Sequence, residues 1–474
     1  MKYPTPHARK QALLSLRPGL MALAATGLCA LSVPAHAQTT GTTVLAQNLR
    51  APSLSETVVA ATRTEQPLSD LVADVSIVDR DSIERSGATG LGDLLARLPG
   101  VEMSRNGGPG NATSLFLRGA ETRFTAVYID GVRRKTSEVL AEKNITPLKV
   151  KLRDGLGLMN GTSCMSGIGA VNLIYSYRLL DWAIAASTMI NEIVEAYDDS
   201  FSVGLNEVKL HAGQQSIAKS MRDFLKDSTL IKKREELFTD DKVAETTEFK
   251  KKIQEYYSIR CIPQILGPVK DTLDYAKTII ENEINSTNDN PVVSLERENV
   301  FHGGNFHGDY ISLEMDKLKL VMTKMTMLAE RQLNYLLNSK INEIFPPFVN
   351  LGTLGLNFGM QGVQFTATST TAESQALSTS LYIHSIPNNN DNQDIVSMGT
   401  NAAVIASKVI ENAFEVLAIE LITIVQAIDA LNYKNEISSV TRKMYDDIRA
   451  IVPEFKEDQI MYPIVQKVKD YLMQ

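Results

Sequence analysis

Cysteine is scarce in this chain: Cys29, Cys164 and Cys261 are the three in 474 residues. They stand too far apart to suggest a disulfide framework, and none has the close partner that a zinc site needs. Such a body suits a reducing compartment. A strong charge of one sign is also missing, since 48 lysines and arginines face 55 aspartates and glutamates for a net charge of -7. Without a basic excess, nucleic acid is not an expected partner. The 44% hydrophobic and 22% charged residues exclude a disordered chain. The length leaves room for about three average domains.

The N-terminus argues against that compartment. Lys2, Arg9, Lys10 and Arg17 precede an uncharged run at 19–33 that is too short to span a bilayer, and Ala35, His36 and Ala37 follow as a small-x-small cleavage signal. Residues 1–37 therefore read as a secretory signal peptide, implying export to the periplasm or outer membrane. The polar stretch 38–53 has no periodicity and reads as a flexible lead. Strand character follows at 57–61 and 75–78, and a helix at 79–98 is divided by Ser86, Gly87 and Gly90. Nine glycines between Gly87 and Gly131 fit tight turns, not long helices.

The segments SETVVAATRTEQPLSD, SIERSGATGLGDLLARLPGVEM, RNGGPGNATSLFLRG and VYIDGVRR resemble the plug of TonB-dependent outer-membrane receptors, nearest the cobalamin-receptor type. The resemblance implies a truncated α/β plug at 54–134. It also makes Glu56, Thr57, Val58, Val59, Ala60 and Ala61 the coupling box, which would pair as a strand with TonB. The alternating strands of a receptor barrel do not follow.

From about 135 the texture changes. The stretches 173–203, 311–345 and 402–435 predict long helices and hence a mainly α bundle. In the second, Ile311, Met315, Leu318, Met322, Met325 and Ala329 recur at spacings of three and four, marking a buried face with Glu314, Lys317, Lys324 and Glu330 around it. The third is apolar nearly all round, and its scattered charges, Glu420 among them, favour the centre of a helical core over a membrane span. The loop before the first helix carries Gly155, Gly157 and Gly161, whose GxGxxxG spacing is not that of a dinucleotide site. His302, His307 and Asp309 match no common ligand pattern, so no metal is expected.

The motifs DGLGLMNGTSCMSGIGAVNL, EYYSIRCIPQILGP, NSTNDNPV, HGGNFHGDYISLEMDKL, IFPPFVNLGTLGLNFGMQ and IPNNNDNQDIVSMG resemble, in order, the aromatic amino-acid ammonia-lyases acting on histidine, phenylalanine or tyrosine. The resemblance covers 135–474 and implies a long-helix bundle of the histidase type from a cytoplasmic family. It further implies a homotetramer whose active sites draw on several chains, and non-oxidative deamination to the arylacrylate and ammonia. On the same resemblance Arg260 would grip the substrate carboxylate with a planar two-donor fork that lysine cannot reproduce. Asn160, Tyr257 and Asn305 would orient the substrate, and Gln254 and Phe306 would line the same pocket. Gln393 stands where histidine-specific members carry glutamate, which favours tyrosine or phenylalanine. The family's cofactor is 4-methylideneimidazole-5-one, formed from an internal Ala-Ser-Gly. No Ala-Ser-Gly occurs in the chain, where Ser86-Gly87 follows Arg85 and Ser166-Gly167 follows Met165. The family's N-terminal base is not found either. The expectation is thus a receptor leader fused to an ammonia-lyase fragment that has no cofactor of its own and is not an enzyme as it stands. The alternative is a periplasmic TonB-interacting receptor fragment without transport function.

Overall fold

The computed structural model describes residues 154–237 and 254–474 continuously and, before 154, only short elements and isolated residues between 57 and 151. The expected signal peptide and polar lead, Glu56, Ala60, Ala61 and most of the expected strand at 75–78 lie outside the described residues. The chain divides into two compact units, Met1–Val75 and Ser76–Gln474. In the first, β1 (Thr57–Val59) pairs antiparallel with β2 (Glu65–Pro67).

The second unit begins with α1 (Arg80–Arg85) and α2 (Leu91–Leu95). The helix expected at 79–98 breaks at Gly87, whose φ of 59° is left-handed, while the Ser86 hydroxyl caps Ile83 O at 2.7 Å. Two antiparallel pairs follow, β3 (Val101–Arg105) with β4 (Thr113–Leu117) and β5 (Tyr128–Ile129) with β6 (Val132–Arg133). The helical body comprises α3 (Asp154–Asn160), α4 (Ser163–Ile193), α5 (Val203–Glu207), α6 (Ala212–Phe224), α7 (Arg234–Leu237), α8 (Tyr257–Arg260) and α9 (Ile262–Ile284). The hairpin β7 (Val292–Ser294) and β8 (Asn299–Phe301) leads into α10 (Asp309–Leu337), α11 (Ser339–Asn342), α12 (Gln361–Leu377), α13 (Gly399–Leu431), α14 (Ser439–Ile451) and α15 (Tyr462–Met473).

The three long helices run parallel. Along α4 and α13, Asn172 donates to Ala403 O at 2.8 Å and, further on, Tyr433 donates to Glu195 at 2.7 Å. Along α4 and α10, Gly169 faces Met315 and Ser187 meets Gln332. The return helices α9 and α12 run the other way, as the contacts of Thr162 with Glu283 and Ser374 with Thr323 show. The core lies where these five helices face one another.

Ile311, Met315, Leu318, Met322, Met325 and Ala329 are all buried, each contributing about 1.5–3 kcal/mol for the larger side chains. Glu314 and Glu330, expected at the rim, are buried as well; Glu314 is paired with Lys317 at 2.7 Å and Glu330 with Arg331, which makes their burial tolerable. Glu420, in the middle of α13, is also buried, and one of its carboxyl oxygens has no partner. Burial pushes its carboxyl well above the usual range. Among the described residues no helix is long and apolar enough to cross a membrane.

Candidate functional site

Arg260 closes α8, a single turn that starts from an extended Tyr256. Its guanidinium lies 4.9 Å from the centre of the Tyr257 ring and donates to the Gln254 side chain. Gln254, Tyr257 and Arg260 thus meet on the wall of a cavity of about 760 Å³. The other wall is Arg331, Asn334 and Tyr335 of α10, with Tyr335 packed 5.5 Å from the Tyr256 ring. Sequence reasoning missed these three. Their spacing of three and four carries them onto one side of the helix, which is the available signal.

Asn160 ends α3 and donates to Asp289 at 2.8 Å, while two residues on Thr162 donates to Glu283 at 2.5 Å. The segment 287–290 also receives the Asn305 amide, at Thr287 O (3.1 Å), and the Gly303 N–H, at the Asn290 side chain (2.6 Å). Asn160 and Asn305 therefore share one platform, beside which Phe306 is half-buried. The exit of the Gln393 loop joins them, because a Cβ on Gly308 would stand 2.2 Å from Met165 Sδ and 3.3 Å from Ser397 Oγ.

Gln393 itself is exposed on a tight turn, closed by backbone bonds to Asn388 of 3.1 and 3.3 Å. Asn389, Asn390 and Asp391 between them are left-handed, with φ of 52°, 56° and 60°, conformations that Asn and Asp tolerate best among residues with side chains. The loop is pinned at its start. Asp316 accepts bonds from Ser380 Oγ (2.6 Å) and from Leu381 N and Tyr382 N (both 2.7 Å). Lys319, fully buried, bridges Asp316 (2.7 Å) and Thr379 O (2.8 Å). Burial alone would raise the Asp316 carboxyl, but the bonds from Lys319, Ser380 and Tyr382 outweigh it and hold the group below its usual range.

Within one chain these residues form two clusters, one at each end of α4. Asn160 precedes the first residue of α4, whereas Asn191, near the end of α4, bonds to Ile259 O next to Arg260. At 1.5 Å per residue the helix between them sets the Arg260 and Asn160 clusters roughly 40 Å apart. No single amino acid reaches both in one chain.

The family description Aromatic amino acid lyase matches residues 112–450, and the TonB-dependent Receptor Plug Domain matches 67–156. The chain is 36% identical over 350 residues to a tyrosine ammonia-lyase of Cupriavidus metallidurans, covering 73% of this chain and 66% of that protein. It is also 36% identical over 355 residues to a MIO-dependent tyrosine 2,3-aminomutase of Streptomyces globisporus, covering 73% of this chain and 65% of the relative. The crystal structure of a tyrosine aminomutase from Streptomyces globisporus superposes with a TM-score of 0.69 at 34% identity, covering 73% of this chain and 67% of that one. The chain thus spans about two thirds of the length of these relatives.

These likenesses correct the expectation that the chain is not an enzyme, for the relatives are named for ammonia-lyase and aminomutase activity. A missing tripeptide bears on the source of one group; it does not remove the cavity that Gln254, Tyr257 and Arg260 line. The mainly helical fold and the match over 112–450 lead to one assignment: the chain belongs to the aromatic amino acid lyase family.

Proposed function

We propose that the Arg260 cavity takes the carboxylate of an aromatic α-amino acid, tyrosine or phenylalanine, as the binding half of an ammonia-lyase or 2,3-aminomutase site. The observation that carries this is the half-buried Arg260 fork set among Gln254, Tyr257 and Tyr335. A guanidinium meets a carboxylate through two parallel N–H bonds, and the neighbouring tyrosine rings offer an apolar face to an aromatic side chain. A cavity of about 760 Å³ has room for such a ligand. Asn160, Asn305 and Phe306 complete the site from other copies of the chain, since roughly 40 Å separates the clusters within one copy. Gln393 favours tyrosine or phenylalanine over histidine.

The family's electrophile does not fit the residues of this chain. Ser166-Gly167 lies inside α4, and a helix holds each amide in the i to i−4 ladder, away from the carbonyl two residues back.

The test is titration calorimetry with L-tyrosine, L-phenylalanine and L-histidine, with coumarate, cinnamate, urocanate and β-tyrosine followed on the same samples. Tyrosine or phenylalanine should bind best, and Arg260→Ala should weaken them about a hundredfold, the loss of a charge-assisted pair of bonds. Equal affinity in wild type and Arg260→Ala would defeat the reading.

For the N-terminal part we propose a receptor-derived leader that ends near residue 134, inside the overlap of the two family matches, and whose box contacts TonB after export. Its support is the extended strand Thr57–Val59 together with the plug match. Pull-down with the periplasmic domain of TonB, before and after deleting 56–61, tests it; retention unchanged by the deletion would count against it.

A further inference from the structure

Gln332, Ser187 and Asn191 are polar side chains in the apolar interior, 1%, 1% and 0% exposed. Buried amides are costly unless bonded, so the partners they have show their purpose. Gln332 Nε2 donates to Ser258 O at 2.8 Å, and its own oxygen accepts from Ser187 Oγ at 3.0 Å. Asn191 Nδ2 donates to Ile259 O at 3.2 Å and to Ser187 O at 2.9 Å. The two carbonyls they hold belong to the residues directly before Arg260, in a helix of one turn that has few donors of its own.

We propose that Gln332 and Asn191 are positioning residues, which clamp the Tyr257–Arg260 turn between α10 and α4 and so fix where the Arg260 fork points. The proposal rests on the carboxylate reading of Arg260. It explains why two long apolar helices each spend a buried amide at this level. The turn's own backbone bonds, from Ile259 N and Arg260 N to Tyr256 O and from Cys261 N to Tyr257 O, are local and cannot by themselves tie it to the bundle.

The test compares wild type with Gln332→Met and Asn191→Leu, each of similar volume, and with the milder Ser187→Ala, which leaves the Gln332 donor in place. Amide exchange at Ile259, Arg260 and Cys261 should quicken about tenfold in the first two and about threefold in the third, on the scale of one lost bond, while α13 keeps its rate. L-Tyrosine affinity should fall in the same order. Unchanged exchange at those three amides, or an equal increase in every helix, would overturn the clamp. Wild type that takes up no L-tyrosine while the local exchange pattern holds would leave the clamp standing and overturn the Arg260 reading instead.

Discussion

The two ends of α4 hold their functional groups differently. At the Arg260 end, polar side chains deep in the core reach the backbone of the very turn that carries the arginine. At the Asn160 end, the buried ties stop at the loop bases, and Asn305 and Gln393 stand exposed beyond them. One end is held by ties from the core; the other presents exposed tips on a firm base. The contrast gives the two clusters unequal stiffness.

The largest effect that would break this contrast concerns the base of the Gln393 loop. Lys319→Met leaves the Asp316 carboxylate buried with its ion-pair partner gone, and should cost about 3–5 kcal/mol in urea denaturation. Because the folded Asp316 carboxyl lies below its usual range, its stabilisation is present above the unfolded pKa and is lost as pH falls through the folded one. That acid-side loss should shrink in the variant. A cost below about 1 kcal/mol would mean that the base is as loose as the tips.

Next comes the packing at the Arg260 end, where Gly213 of α6 crosses Gly267 of α9. A Cβ on Gly213 would stand 2.7 Å from the Asp271 carboxylate and 2.3 Å from Gly267 O, and the latter is backbone, which no side-chain rotation can move aside. Gly213→Ala should cost about 3 kcal/mol, at the upper end for an overpacked site, read as a lower denaturation midpoint with unchanged slope. Near-neutral behaviour would show this end to be as yielding as the other.

Midway between the ends sits Glu420. Its carboxyl keeps its proton in the folded chain at pH values where the unfolded chain has released it. Stability from this group is therefore full below the unfolded pKa and falls as pH rises through the folded one. Glu420→Gln should flatten that decline without changing either cluster, checked by denaturation midpoints across neutral pH. A decline equally steep in the variant would assign it to other groups.

Much of the bundle was legible in the residues because buried faces repeat at helical spacing, as Ile311, Met315, Leu318 and Met322 do. The ends were less so. The first long helix starts at Ser163, not near 173, because Gly167 and Gly169 sit within it, and Gly169 leaves space for Met315 of α10, 3.3 Å from where a Cβ would lie. Asp154–Asn160, read as loop, is helical for a similar reason: glycine loosens a helix without forbidding it. The third helix stops at Leu431, where Asn432 turns left-handed with φ of 58°, a common helix ending. Gln254, Tyr257 and Arg260 could be found together because they lie close in the chain. The distance from Arg260 to Asn160 could not, since it depends on which end of a 31-residue helix each loop meets.

The smallest effect sharpens the comparison from the Asn160 side. Gly308 is as crowded as Gly213, its Cβ position lying 2.2 Å from a neighbour, yet the neighbour is Met165 Sδ, the flexible part of a half-buried side chain. Methionine has rotatable bonds to spare and swings aside at little expense. Gly308→Ala should therefore cost only about 1 kcal/mol, the low end of overpacking, against about 3 for Gly213→Ala. The displaced Met165 also touches Gly399, so the exit of the Gln393 loop should shift with it. Amide exchange at 395–399 should rise in Gly308→Ala, while the Tyr257–Arg260 turn stays protected. Equal costs for the two alanines would erase the difference in stiffness between the ends, because crowding alone, and not what is crowded, would then set the penalty.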